Sequence, residues 1–189
     1  MDAERGVWAL KSKGGRGGAP RSAPLIFHVI HRKKMIAIRP AVSADAESIA
    51  AVLEALRQAG NRKTAGDAAF IRETYIENSH RIACSVAVDA AGRLLGFQSL
   101  QIAPEGNPYG APAGWGVIGT HLHPEASGQG IGRALFAVTR AAAEATHLPA
   151  IEALISADNA QGLGYYSAMG FVDYRETPTA VGKKLVLTP

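Results

Sequence analysis

The run Ser127-Gly128-Gln129-Gly130-Ile131-Gly132-Arg133-Ala134 constrains the fold of this chain more than any other segment. It follows a strand-like stretch from Trp115 to Leu122, closed by Pro124. It opens a segment of helical period, with Ile131, Ala134, Leu135 and Val138 on one face. The local order is therefore strand, glycine-rich turn, helix. Such a turn aims free backbone N–H groups and the positive end of a helix at one point, which holds phosphate without charged side chains. Gly128, Gly130 and Gly132 lack the Cβ atoms that would keep a pyrophosphate off the backbone. The plain structural alternative is a tight turn that lets the helix pack close to the sheet.

Two familiar nucleotide fingerprints do not fit. A P-loop ends in Gly-Lys-Ser/Thr, whereas Gly132 is followed by Arg133-Ala134. A Gly-x-Gly-x-x-Gly fingerprint fails from either start, since its last position falls on Arg133 or Leu135. The turn also lies in the last third of the chain, which leaves too little sequence for a doubly wound dinucleotide domain.

What the turn resembles is the acyl-coenzyme A pyrophosphate loop of the GNAT N-acetyltransferase superfamily, Arg/Gln-x-x-Gly-x-Gly/Ala. A second segment, Asn159-Ala160-Gln161-Gly162-Leu163-Gly164-Tyr165-Tyr166-Ser167-Ala168-Met169-Gly170-Phe171, is similar to that family's Asn-x-x-Ala-x-x-Phe-Tyr-x-x-x-Gly-Phe. The local alternative for it is a capped helix, with Asn159 as N-cap and Gly170 as the stop. The two segments stand in the family's order, separated by one helix and one strand. The resemblance covers roughly Ile36 to Leu187.

Composition suits one globular domain, with 47% apolar and 19% charged residues in 189. No apolar run approaches the ~20 residues needed to span a bilayer. The single Cys84 cannot form an internal disulfide and reads as a buried thiol, compatible with a reducing cytoplasm. No Cys/His cluster has metal spacing, so no metal is expected. The net charge of +4 divides unevenly: residues 1–34 carry eight Lys or Arg against Asp2 and Glu4, whereas residues 35–189 are net acidic. The first 34 residues are expected to be a basic, Gly-rich leader, solvated or lying upstream of a natural start at Met35. The domain is expected over 35–189, with neither nucleic acid nor membrane as partner.

Strand and helix signals alternate along the domain. Ile36 to Arg39 is a strand, Ser43 caps a helix stopped by Gly60, and Asp67 opens a second helix. Arg81 to Val88 and Leu94 to Ile102 form a hairpin, and Pro104 to Gly114 is a loop. Trp115 to Leu122 is the central strand. Ile131 to Thr146 is a helix, Ile151 to Ser156 a strand and Asn159 to Met169 the last helix. Phe171 to Tyr174 and Lys183 to Leu187 are closing strands. The resemblance implies an α/β (α+β) fold, a mixed, mostly antiparallel sheet of about seven strands with helices on both faces. It implies that the central strand and the strand from Ile151 splay apart to admit the coenzyme.

Acetyl transfer sets the chemistry that the resemblance implies, with acetyl-coenzyme A (acetyl-CoA) as co-substrate. A lysine-like amine titrates near ~10.4, so making it neutral at pH 7 costs about 4–5 kcal/mol. The leaving thiolate needs a proton, and Tyr166 matches the family position of the general acid. Backbone groups of Thr120, His121 and Leu122 would hold the pantetheine arm and meet the oxyanion. The phosphate site would comprise Ser127, Gly128, Gln129, Gly130, Ile131, Gly132 and Arg133, and Asn159 and Tyr166 of the last helix would complete the coenzyme site.

Two features depart from the family pattern. Ser127 stands where Arg or Gln is usual, with Gln129 a candidate to compensate. No base occupies the usual face of the central strand, where Gly116 and Ile118 stand. His121 and His123 alternate onto the opposite face unless a bulge intervenes. His121, or Glu105 after the preceding strand, could serve through water. The expected acceptor is a small-molecule primary amine, bounded by Gln58 to Gly66 and Pro104 to Gly114. A protein lysine or N-terminus, or a silent acyl-coenzyme A-binding domain, are the alternatives. A homodimer is left open.

Overall fold

A computed structural model of the chain describes residues 27–31, 34–64 and 66–187. Eight strands form one sheet: β1 (Phe27–His31), β2 (Lys34–Pro40), β3 (Arg81–Asp89), β4 (Leu94–Ile102), β5 (Gly116–Leu122), β6 (Ala150–Ser156), β7 (Val172–Glu176) and β8 (Ala180–Val186). Their spatial order is β1-β2-β3-β4-β5-β6-β8-β7. Every neighbouring pair is antiparallel except β5 and β6. The helices are α1 (Ala46–Gln58), α2 (Ala68–Ile71, continued by a wider turn over Arg72–Ile76), α3 (Ile131–Ala145) and α4 (Ala160–Ala168).

Strand alternation divides the core between the two faces. Cys84, Val86 and Phe97 pack beneath Ile49, Val52 and Leu53 of α1 and Ile71 of α2. Leu100, Ile118 and Ile151 face the other way, with Phe136 of α3, Tyr166 of α4 and Phe171. Ile36, Ile38 and Ala87 continue that second face beneath Ile131 and Leu135. Cys84 is buried, and burial pushes its thiol up to about 12. No described helix is long and apolar enough to cross a membrane.

Three local expectations change. The expected start of regular structure was Ile36, but β1 pairs with β2 over Phe27–His31, inside the segment assigned to the leader. This accounts for the eighth strand. The remainder of that leader, residues 1–26 with 32 and 33, lies outside the described residues. Ser43 does not cap α1. Its hydroxyl donates to Glu77 at 2.6 Å, while Asp45 accepts from the Val42 N–H at 2.8 Å and pairs with both nitrogens of the Arg39 fork at 2.7 Å. The Arg39 guanidinium holds the Asp45 carboxyl below its usual range.

Candidate active site

The site begins where β5 and β6 part. They pair only at Gly116↔Ile151 and Val117↔Glu152. Beyond that, β5 follows β4 out to Leu122 while β6 follows β8 out to Ser156. The V between them opens into a cleft of about 600 Å³. The bonds from Ala103 N–H to the Trp115 carbonyl and from His123 N–H to the Leu95 carbonyl, each 2.8 Å, show that odd-numbered residues of β5 bond to β4. By alternation, the N–H and C=O groups of Ile118, Thr120 and Leu122 face the gap.

The glycine-rich turn borders this gap. Gly128 and Gly130 take φ of 72° and 73°, the left-handed region that favours glycine, and α3 starts at the next residue. Nothing lies within 4 Å of the position a Gly128 Cβ would take, so the turn faces open space as an anion cradle requires. Gly132 has another purpose. A Cβ there would stand 2.8 Å from Cε2 of Tyr165, so this glycine lets α4 pack against the first turn of α3. The Tyr165 hydroxyl also donates to the Gly132 carbonyl at 2.8 Å.

Side chains at the turn are already engaged. The Ser127 hydroxyl accepts from the Gln161 amide of α4. Gln129 turns back to donate to the Glu125 carbonyl at 2.9 Å, outside the cleft lining, so its side chain does not replace the missing Arg or Gln. Asn159 caps α4 by accepting from the Gly162 N–H at 2.8 Å, and an alanine Cβ at 162 would meet its amide. Arg133 lines the cleft and is exposed.

A buried polar chain crosses from α3 to the floor of the V. Gln98, fully buried, lies on the same face as Thr120. Its amide nitrogen lies 2.8 Å from the Thr120 hydroxyl and 3.2 Å from that of Tyr165. The Thr120 and Tyr166 hydroxyls are 2.9 Å apart. The Gly132 carbonyl can only accept, so Tyr165 donates to it and must accept from Gln98. Burial raises the Tyr166 pKa well above the ordinary phenol value, and the Thr120 bond only partly opposes this. Tyr166 therefore stays protonated.

His121 stands on the opposite face, as strand parity requires, because the β4–β5 register runs unbroken from Ile102↔Gly116 to Gly96↔Leu122. Its ring lies 4.8 Å from that of Phe97 and 6.1 Å from that of Tyr75. Burial first, and then Arg62, push its pKa down to about 3. Its Nε2 lies 3.3 Å from the position of a Gly119 Cβ, at the edge of the cleft. Glu105 is exposed and does not line the cleft. The two expected acceptor walls separate: Asn61 and Arg62 line the cleft, whereas Pro104, Asn107, Pro108 and Tyr109 border a hollow of about 270 Å³ with Gln101 and Val117.

Thr120, His121, Leu122, Ser127, Gly128, Gly130, Ile131, Gly132, Arg133, Asn159 and Tyr166 thus converge on one cleft, and Gln129 does not. Gln98 was not anticipated, and Arg62 was expected only as part of the wall from Gln58 to Gly66. A lone amide inside the largely apolar run Leu94–Leu100 is the signal that could have found the first.

Comparison with known proteins bears on the family and the fold. The family model for the acetyltransferase (GNAT) family matches residues 49–171. Mycothiol acetyltransferase of Paenarthrobacter aurescens (strain TC1) is 34% identical over 87 residues, which are 46% of this chain. The match spans 26% of that protein, about a quarter of its length. The GNAT domain of PAT from S. lividans aligns with a TM-score of 0.70 at 18% identity, covering 90% of this chain and 100% of that one. The paia N-acetyltransferase of Thermoplasma acidophilum, solved in complex with coenzyme A, aligns with a TM-score of 0.63 at 16% identity, covering 80% and 99%. At these identities the structures share the fold.

Proposed function

The chain belongs to the acetyltransferase (GNAT) family, and from that premise we propose that it moves an acetyl group from acetyl-CoA to a primary amine of a small molecule. Tyr166 is the general acid in this reading. The observation that carries it is the position of a neutral Tyr166 hydroxyl, bonded to Thr120 at the floor of the V, on the same face as the glycine-rich turn.

Each part of the cleft supplies one element of the reaction. The turn at Gly128–Gly130 and the start of α3 offer N–H groups to a pyrophosphate. The Thr120 and Leu122 backbones offer an unpaired strand edge to a pantetheine arm, and a backbone N–H there meets the developing oxyanion. The amine nitrogen attacks the thioester carbonyl carbon, the C–N bond forms and the C–S bond breaks, and the sulfur takes the Tyr166 proton. Because Thr120 Oγ1 already accepts from Gln98, its own proton is available to Tyr166. The Tyr166 proton is then free to face the cleft.

No Asp or Glu among the described residues lines the cleft, and His121, titrating at about 3, is too weak a base to retain a proton at neutral pH. The amine therefore loses its proton to water, and Tyr166 is reprotonated from the same solvent. The experiment is a calorimetric titration with acetyl-CoA, joined to a thiol-release assay over a panel of primary amines. Binding with turnover supports the enzyme. Binding without turnover points to an acyl-coenzyme A-binding domain, and no binding removes the assignment.

A further inference from the structure

We infer that the acceptor amine also carries an anionic group, a carboxylate in the simplest case, and that Arg62 holds it. The inference rests on the acetyl-transfer reading of the same cleft and adds the chemical class of its second substrate.

Arg62 lies in the connection between α1 and α2 and lines the cleft beside Asn61 and Leu56. It acts electrostatically on His121 and Tyr75, both on the α1 face of the sheet. It thus sits across the sheet from Tyr165, Tyr166 and α3, away from the phosphate-binding turn. Its half-buried guanidinium donates from Nε to the Thr64 carbonyl at 2.8 Å and lies beside the Tyr75 hydroxyl, and these two neighbours orient the fork while leaving further N–H donors for a ligand. Arg39, Arg57, Arg93, Arg140 and Arg175 each pair with a carboxylate. Among the described residues Arg62, Arg72, Arg81 and Arg133 have none within 4 Å, and of these Arg62 and Arg133 line the cleft.

The composition of the cleft points the same way. Among the described residues its charged side chains are Arg62 and Arg133, and no carboxylate lines it. Arg133 stands at the start of α3, where coenzyme phosphates would engage it, so Arg62 is the cation left for the acceptor. A diamine or polyamine would bring a second positive charge into this field with nothing to receive it. An acceptor bearing a carboxylate meets a planar fork suited to bidentate bonding. The same positive charge disfavours the protonated amine, which suits a site without a strong base.

The test compares matched acceptors in the thiol-release assay: L-amino acids, their amides, and 1,4-diaminobutane. The expected result is a kcat/KM for amino acids about 10-fold or more above that for the amides, carried by KM, as for a charge-assisted bond. Arg62→Met removes that preference, Arg62→Lys retains part of it, and the calorimetric Kd for acetyl-CoA is unchanged in both. Amides or the diamine used equally well, or an undiminished preference in Arg62→Met, overturns this inference alone. Weakened coenzyme binding in both variants assigns Arg62 to the coenzyme and also overturns it. No turnover of any amine overturns the acetyl-transfer reading and this inference together.

Discussion

The Tyr166 hydroxyl lies 2.9 Å from that of Thr120, and these two oxygens join the two halves of the cleft. Thr120 belongs to β5, whose backbone borders the gap, and Tyr166 to α4, whose neighbouring Tyr165 is bonded to α3. Tyr166, the proposed acid, is therefore located by the sheet and by α3 at once. Gln98 ties the arrangement together, since one amide nitrogen reaches both Thr120 and Tyr165.

Tyr166→Phe keeps the ring, which lies 5.1 Å from that of Phe171, and removes only the proton. It is expected to lower kcat roughly 10²-fold, within the range of general acid catalysis. The Kd for acetyl-CoA should change little. Thr120→Val leaves Tyr166 in place without its partner and should cost about 10-fold, the worth of one neutral hydrogen bond. Steady-state kinetics with calorimetry of the coenzyme checks both, and an unaffected Tyr166→Phe enzyme removes the acid assignment.

Gln98→Leu deletes the shared donor at nearly constant volume. Tyr165 and Thr120 lose a partner in a buried setting, and the expected cost is about 1–3 kcal/mol of folding stability. The low end applies because Oε1 of Gln98 is itself buried without a partner among the described residues, and the substitution removes that too. Turnover should fall with stability, because Thr120 is then free to accept from Tyr166 and turn its proton away from the cleft. Denaturant unfolding alongside kcat measures the two effects separately.

The glycines of the turn should divide by effect. Gly132→Ala forces a methyl against the Tyr165 ring, an overpacked contact expected to cost about 1–3 kcal/mol. Its mark is a lowered Tm. Gly128→Ala meets nothing within 4 Å but holds a side chain at φ 72°, at a strain of about 1–2 kcal/mol. Its methyl projects into the space before the turn, so its mark is weakened acetyl-CoA binding. Similar coenzyme affinity in Gly128→Ala and the unaltered protein would place the phosphates elsewhere.

The individual elements were legible because they rest on short-range signals, whereas the sheet arrangement and the splayed strands came from the family resemblance. Periodicity located α3, the Asn159 cap and the Gly170 stop located α4, the glycines and Pro124 located the turn, and period-two alternation placed Thr120 and His121 on opposite faces. Contacts set by distant partners were not legible. Gln98 finds its partners 22 and 67 residues away, so its residue type alone names no role. Gln129 has the chemistry to bind phosphate, but the Glu125 carbonyl four residues back captures it. Gly132 fits the family pattern and the helix-packing reading equally, and only the Tyr165 ring distinguishes them. Arg62 lies in a connection without regular structure, and its position follows from where α1 ends relative to the V.

His121 gives the pH dependence. Its folded pKa of about 3 lies below the usual value of ~6.5, because burial disfavours the imidazolium. Between those values the unfolded chain binds a proton that the folded chain does not. Stability therefore falls as pH drops from about 6.5 towards 3, by at most about 1.4 kcal/mol per pH unit, and this contribution is level above pH 6.5. His121→Gln removes the titrating group, so the variant minus the unaltered protein isolates this slope from that of the carboxylates. Unfolding free energies measured in steps from pH 7 to 4 should show the unaltered protein losing stability faster than the variant. In kcat/KM, His121→Gln should cost less than Tyr166→Phe and remove no ionisation near neutrality. A nearly inactive His121→Gln that still binds acetyl-CoA would instead make His121 the group that accepts the amine proton.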